Sequence, residues 1–274
     1  THTHPRDFVP TDIALASDNI MSNSSSKDIN DVDIHANQQN DSERMDHPPE
    51  LKEANHAAVK DLLSKTTTVT PTHVLNIMGT ECTIELVTDS ITHVKVDAIV
   101  NAANEMLEGG GGVDQAIHAV AGPSLYQYCV GLPYQMVESE GGAIHGGEMA
   151  RCPVGEALST PGFELPHAKY VIHTVAPLLH DDGQPRSALL EKCYLNCLRV
   201  ASELDGCTSV AFCALGTGFY GFPQVQACEI AISAVYKFLL SEGMKSHSCL
   251  KTVKFCMHGS NQKQIYPTVL GKYC

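Results

Sequence analysis

Asp114 and His118 stand four residues apart, directly after four consecutive glycines, in the stretch NAANEMLEGGGGVDQAIHAV at residues 101–120. A four-residue step puts two side chains on the same face of a helix. A carboxylate and an imidazole would then share a face just past a glycine run. Spacing alone leaves two plainer readings open: Asp114 as a partner for the positive helix end, and His118 as a core histidine. Asn101 and Asn104 close the strand-like run before the glycines. A side-chain amide both donates and accepts, which suits ribose hydroxyls and equally suits tying down loop backbone.

A second cluster, GTGFYG at 216–221, also follows an apolar run. Glycine loses more backbone entropy on folding than any other residue, so each cluster needs a reason. One reason is tight packing between a strand and the next helix. Another is an anion, because backbone N–H groups at such loops and helix starts attract negative charge without lysine. Two clusters after two apolar strands point to a diphosphate. GTGFYG matches G-x-G-x-x-G formally, but Glu242 would fall at the end of a helix instead of on the strand that a ribose-binding acid needs. Too little chain follows for the rest of a nicotinamide-dinucleotide fold. No glycine precedes Lys-Ser or Lys-Thr, so there is no P-loop.

The elements that must position these groups alternate. Strand-like runs are HVLNIM, CTIELVT, VDAIVNAA, KYVIHTVA, TSVAFCAL and KTVKFCM, and helical stretches fall at 113–121, about 124–138, 187–204 and 224–241. In the third helix Leu189, Leu190, Cys193, Cys197, Leu198, Ala201 and Leu204 form one apolar stripe. This alternation predicts an α/β sandwich with its ligand site at the carboxyl ends of strands. VDAIV and TSVAFCAL read as central strands covered on both faces. Earlier, PPELKEANHAAVKDLLSK predicts a helix with Leu51, Ala54, Ala58 and Leu62 on one face. The organisation expected is a polar segment over 1–50, a helical lead-in over 51–70, and one folded domain over 71–274. The polar segment is too rich in Ser, Asn and Asp to bury its own core. His2, His4, His35 and His47 lack tight ligand spacing, so no metal is expected.

Composition narrows the function. The formal charge of -13 disfavours nucleic acid, whose phosphates are held mostly by lysine and arginine. No apolar stretch approaches the roughly 18 residues that span a membrane. Eleven cysteines without a C-x-x-C pair read as small hydrophobes in a reducing, intracellular compartment. The Asn-x-Ser matches at Asn23 and Asn40 then carry no glycan.

In combination, VDAIVNAAN, GGGGVDQAIHAVAG, KYVIHTVAP, VAFCALGTGFYGFP and the ending IYPTVLGKY resemble the macrodomain family, specifically the MacroD-type mono-ADP-ribosyl hydrolases. The resemblance runs from about residue 80 to 274. It implies a three-layer α/β/α sandwich with a mixed central sheet, binding ADP-ribose in a cleft. Asn104 would touch the distal ribose, with Asn101 beside it. Gly110, Gly111, Gly112 and Val113 would wrap the diphosphate from one side, and Gly216, Thr217, Gly218, Phe219 and Tyr220 from the other. Tyr220 stands where the family usually has phenylalanine.

Asp114, His118 and Asn104 match positions linked to hydrolysis. The implied reactions remove mono-ADP-ribose from Asp or Glu side chains of modified proteins and deacetylate O-acetyl-ADP-ribose, by a monomer without a cofactor. A reader module that binds ADP-ribose without hydrolysing it is the alternative, and the joint presence of Asp114 and His118 favours the enzyme. Three departures stand out. Where the family has an acid for adenine, in Gly-Asp-Ile-Thr, this chain reads TDSIT, so Ser90 takes that place, before Ile91, and Asp89 lies one residue earlier. The segment VGLPYQMVESEGGAIHGGEMA at 130–150 is longer than the pattern, and the N-terminal region has no counterpart.

Overall fold

The computed structural model describes residues 49–65, 72–137, 149–179, 185–243 and 250–274. Residues 1–48 of the polar segment, with its four histidines and Asn23 and Asn40, and 138–148 of the extra segment lie outside them.

Chain order is α1 (Pro49–Lys65), β1 (Val74–Asn76), β2 (Thr83–Val87), β3 (Ala98–Ala102), α2 (Gly112–Ala121), α3 (Pro123–Val130), β4 (Gln135–Met136), β5 (Met149–Ala150), β6 (Ala157–Pro161), β7 (Tyr170–Thr174), α4 (Ser187–Glu203), β8 (Ser209–Phe212), α5 (Gln224–Gly243), β9 (Thr252–Cys256) and α6 (Ser260–Leu270), ending in a 3-10 turn. Seven strands form one sheet in the order β1-β2-β9-β8-β3-β7-β6. The five inner strands run parallel, and the edge strands β1 and β6 pair antiparallel. β4 and β5 form a separate small ribbon.

Side chains alternate across the pleat, and the central strands show why both faces must be covered. Ala98 and Val100 of β3 join one apolar cluster with residues of α1, α4, α5 and α6. Ile99 joins a second cluster with Ile117 of α2 and Leu125 and Cys129 of α3. The result is the expected three-layer sandwich with a mixed sheet. Asp97 fixes the entry to β3, accepting hydrogen bonds from the backbone N–H and hydroxyl groups of Thr208 and Ser209 at 2.8–3.0 Å. Burial pushes its carboxyl up, but these donors more than reverse that and hold it below the usual range.

Two local expectations need correction, and two elements, β6 and α6, were not among those expected. The α1 face against the core is Val59 and Leu62, with Leu51 and Asn55 half-buried, whereas Ala54 and Ala58 are exposed. The helix expected over about 124–138 stops at Val130. Gly131 follows, and Pro133 disfavours helical backbone at Leu132. β6 was not expected, since ALSTP is polar and ends in proline, which a sheet tolerates at its edge. α6 holds Pro267 in its interior, normally a helix breaker. Burial of Ile265, Tyr266, Val269 and Leu270 outweighs that cost. Among the described residues no helix is long and apolar enough to cross a membrane, and ten cysteines are free thiols.

Candidate active site

β3 and β8 are parallel neighbours, so the glycine loops that follow them leave the same end of the sheet. The first loop begins with Asn104, whose Nδ2 donates to the Gly109 carbonyl at 2.7 Å and whose Oδ1 accepts from the Glu108 N–H at 3.2 Å. Asn104 therefore ties the loop backbone, the role that spacing left open for Asn101. The loop also hangs on Arg151, whose guanidinium donates to the carbonyls of Met106 and Val130 and lies over the Tyr134 ring.

α2 starts from Gly111 with no side-chain cap. The first backbone N–H groups of a helix have no intrahelical partner, so those of Gly112, Val113 and Asp114 point toward whatever lies before the helix. The glycines divide their labour. A Cβ at Gly110 would stand 3.2 Å from Asp114 Oδ2, and one at Gly109 would stand 3.8 Å from the His118 ring. Gly112, with φ of 64°, would meet nothing within 4 Å. Gly109 and Gly110 make room for the two side chains behind the loop, and Gly112 faces open space.

Asp114 and His118 do share a face. Asp114 Oδ1 is 3.4 Å from His118 Nε2 and accepts a 2.6 Å hydrogen bond from Asn101 Nδ2. Burial raises the Asp114 carboxyl above its ordinary value, and the Asn101 hydrogen bond and the His118 charge act against that rise. Asn101 is fully buried and points away from the loop backbone. Its register partner on β7 is His173, whose Nδ1 lies 3.2 Å from Asn101 Nδ2. His173 Nε2 in turn lies 3.0 Å from Thr160 Oγ1 of β6 and 3.8 Å from Cys129 Sγ. Burial, and then the nearby His118, push His173 down to about 3. Sequence reasoning missed this histidine and Thr160. The motif KYVIHTVA contains His173, but only strand register shows that it faces Asn101.

The second loop is braced by backbone. Phe222 N–H donates to Gly216 O at 2.9 Å, Gly221 N–H to Gly218 O at 3.0 Å, and Thr217 Oγ1 to Ala214 O at 2.8 Å. Gly216, with φ of 74°, is packed between Ala176 and Phe222, while a Cβ at Gly218 would meet nothing within 4 Å. Phe219 is exposed. Tyr220 is pushed up to about 12 by burial and then by the charges of Glu105 and Asp114.

Asp89, Ser90 and Ile91 follow β2, two strands beyond β8. Asp89 and Ser90 are exposed and Ile91 is buried. Asp89 Oδ1 accepts from the Ser90 N–H at 2.8 Å and lies 3.7 Å from His93 Nδ1. From β2 to β3 is three strand spacings, about 14 Å. That span suits a long ligand laid across strand ends. A shallow groove between α4 and α5, lined by Arg199, Lys237 and Phe238, belongs to the opposite layer and holds none of these groups. Among the described residues no His, Cys, Asp and Glu cluster has the makings of a metal site.

Comparison with known proteins agrees with this architecture. The Macro domain family model matches residues 100–231. A macro domain-containing protein of Chlorobaculum tepidum is 39% identical over 187 residues, 68% of this chain and 95% of that one. The O-acetyl-ADP-ribose deacetylase of Escherichia coli K12 is 38% identical over 187 residues, covering 68% of this chain and 94% of that one. Among solved structures, the Oceanobacillus iheyensis macrodomain with ADP shares 34% identity at a TM-score of 0.58, covering 74% of this chain and 97% of that one. The Trypanosoma brucei macrodomain in complex with ADP-ribose shares 36% at 0.55, covering 67% of each. The chain belongs to the macrodomain family. That membership removes the nicotinamide-dinucleotide alternative for GTGFYG.

Proposed function

We propose that this protein binds ADP-ribose and hydrolyses its esters, both O-acetyl-ADP-ribose and mono-ADP-ribose attached to Asp or Glu side chains of modified proteins. The observation that carries the reading is the buried Asp114 carboxylate, aimed by Asn101 from directly behind an uncapped, glycine-led helix start. Likeness to a named deacetylase and to a structure holding ADP-ribose supports it.

In this reading the N–H groups of Gly110 to Val113 and of Gly216 to Tyr220 hold the diphosphate. Asp89 and Ser90 lie at the adenine end above Ile91, and Asp89 supplies the carboxylate that the family pattern would put one residue later. Asn104 shapes the loop beside the distal ribose, and Tyr220 packs against that ribose. Asp114 Oδ1 is engaged by Asn101 and His118, so Oδ2, on the Gly110 side, is the oxygen left to order the attacking water. A carboxylate raised by burial is a better base at neutral pH than an ordinary one. His118 supports Asp114, and a substrate phosphate oxygen can share the proton. Residues 1–50 are read as a polar N-terminal segment, in an intracellular monomer.

The test is incubation of the full chain with O-acetyl-ADP-ribose and with an Asp/Glu-ADP-ribosylated protein, following acetate and ADP-ribose release, alongside calorimetric titration with ADP-ribose. Binding with release from both supports the proposal. Binding without release makes the protein a reader. No heat at millimolar ADP-ribose overturns the reading altogether.

A further inference from the structure

Behind the face that the substrate would touch, four side chains from four elements form one buried hydrogen-bonded chain. Thr160 on β6, His173 on β7, Asn101 on β3 and Asp114 on α2 are all at most 3% exposed. The chain can be read proton by proton. Asn101 Nδ2 lies 2.6 Å from a carboxylate oxygen and 3.2 Å from His173 Nδ1. An amide nitrogen only donates, so Nδ1 must accept and carries no hydrogen. The ring proton of the neutral imidazole is then on Nε2, which donates to Thr160 Oγ1 at 3.0 Å. Thr160 passes its own hydrogen to the Pro161 carbonyl at 3.2 Å. Every donor faces an acceptor.

The orientation of Asn101 is the weak point of this chain, and His173 is what secures it. Asn101 Oδ1 is buried and accepts no hydrogen bond, so it does nothing to stop the amide turning over. In the turned state Oδ1 would face the Asp114 carboxylate. That contact is repulsive while Asp114 is ionised and attractive once Asp114 is protonated. An acceptor at the Nδ1 position penalises the turned state, because Oδ1 would then face a second lone pair.

We infer that His173 is a positioning residue. As a neutral imidazole with Nδ1 unprotonated, it locks the Asn101 amide so that Asp114 is held in the water-ordering, ionised form. The inference rests on the proposed ester hydrolysis for its catalytic meaning, and on the hydrogen-bond chain alone for its structural content.

Other groups around Asp114 leave the comparison clean. Cys129 on α3, with Cys213 and Tyr220 after β8, is raised by burial to about 11, with about 12 for each of the others, so all three stay neutral near pH 7. His118, on α2 itself, is a further titratable neighbour, and it is retained in every variant. Substituting phenylalanine for His173 keeps a ring and removes the acceptor. Asparagine restores an acceptor near the Nδ1 position. Thr160→Val removes the acceptor that holds the proton on Nε2, with Cys129 left as a poorer substitute.

The experiment titrates the side-chain carboxyl of Asp114 by carbon NMR in the full chain, its signal identified by loss in Asp114→Asn. The midpoint should rise by about one pH unit in His173→Phe, rise less in Thr160→Val, and return near the parent value in His173→Asn. The acid limb of kcat for O-acetyl-ADP-ribose should move up with it, while ADP-ribose affinity stays within severalfold. An unchanged Asp114 midpoint in folded His173→Phe overturns the lock. Should that variant not fold, an unchanged midpoint in Thr160→Val overturns it instead. A parent without turnover would defeat the hydrolase reading and leave the titration to judge the lock on its own.

Discussion

The two glycine loops leave neighbouring parallel strands at the same end of the sheet, yet they are built for different work. The first lies directly over Asp114 and His118, and its second glycine would bring a Cβ to 3.2 Å from a carboxylate oxygen. The second is held by its own backbone hydrogen bonds, with Gly216 wedged between Ala176 and Phe222. One loop packs against a buried acid; the other is held in a fixed shape. Similar composition thus conceals a division between chemistry and scaffold, set by what lies beneath each loop.

Asp114→Ala should produce the largest difference. Removing a positioned base costs about 10²- to 10⁴-fold in rate, while the loop amides still grip the diphosphate. We expect kcat on O-acetyl-ADP-ribose to fall within that range and ADP-ribose affinity to stay within about tenfold, since only transition-state stabilisation is lost. Single-turnover release and calorimetry on the same preparation check both numbers. Unchanged release would remove the chemical half of the comparison.

Charge placed in either loop should erase the distinction. Gly111→Glu and Gly218→Glu each put a carboxylate where a diphosphate must approach, a like-charge cost of about 3 kcal/mol, or roughly a hundredfold in affinity. Circular dichroism should show both variants folded. Parent-like affinity in both would mean that neither loop meets phosphate.

Much of the fold is legible in the sequence alone. The long periodic elements are, because a 3.6-residue stripe such as Leu190, Cys193, Cys197, Leu198 and Ala201 and a continuous run such as VDAIV report burial directly. The glycine clusters are legible too, since glycine is costly wherever it is not needed. The over-long helix at 124–138 was a local misreading of Gly131 and Pro133, whereas the other failures depend on contacts distant in sequence. α6 carries Pro267 because its apolar side chains are buried. The Asn101 and Asn104 roles could not be separated, since one amide turns inward to Asp114 and the other back to its own loop. His173 and Thr160 become visible only when β3, β7 and β6 are set in register.

Acid should expose the cost of the buried chain beneath the first loop. His173 titrates near 3 in the folded protein against 6.5 for an ordinary histidine. Between those values the unfolded chain holds a proton that the native state does not. Stability therefore falls as pH drops from about 6.5 towards 3, by on the order of a few kcal/mol in total. His173→Asn has no such proton to bind, so urea unfolding at pH 4 and pH 7 should show a flatter loss than in the parent. An equal loss in both would mean that the slope comes from other groups.

The smallest expected effect is the sharpest test of the comparison, because it changes each loop by one methyl group. In Gly110→Ala the new Cβ would stand 3.2 Å from Asp114 Oδ2 and 3.9 Å from Asn104 Nδ2. That is closer than ordinary van der Waals contact, so the carboxylate must shift by a few tenths of an ångström. Small misplacements of a reacting group slow the reaction without much change in binding. We expect kcat to fall by about three- to tenfold with KM nearly unchanged. In Gly218→Ala the methyl meets nothing in the protein, so the fold has no reason to respond. It would instead occupy space on the ligand side, raising KM severalfold with kcat preserved. Steady-state kinetics on O-acetyl-ADP-ribose separates the two parameters. If Gly110→Ala raised only KM, the first loop would be a second phosphate cradle like its neighbour, and its closeness to Asp114 would have no chemical consequence.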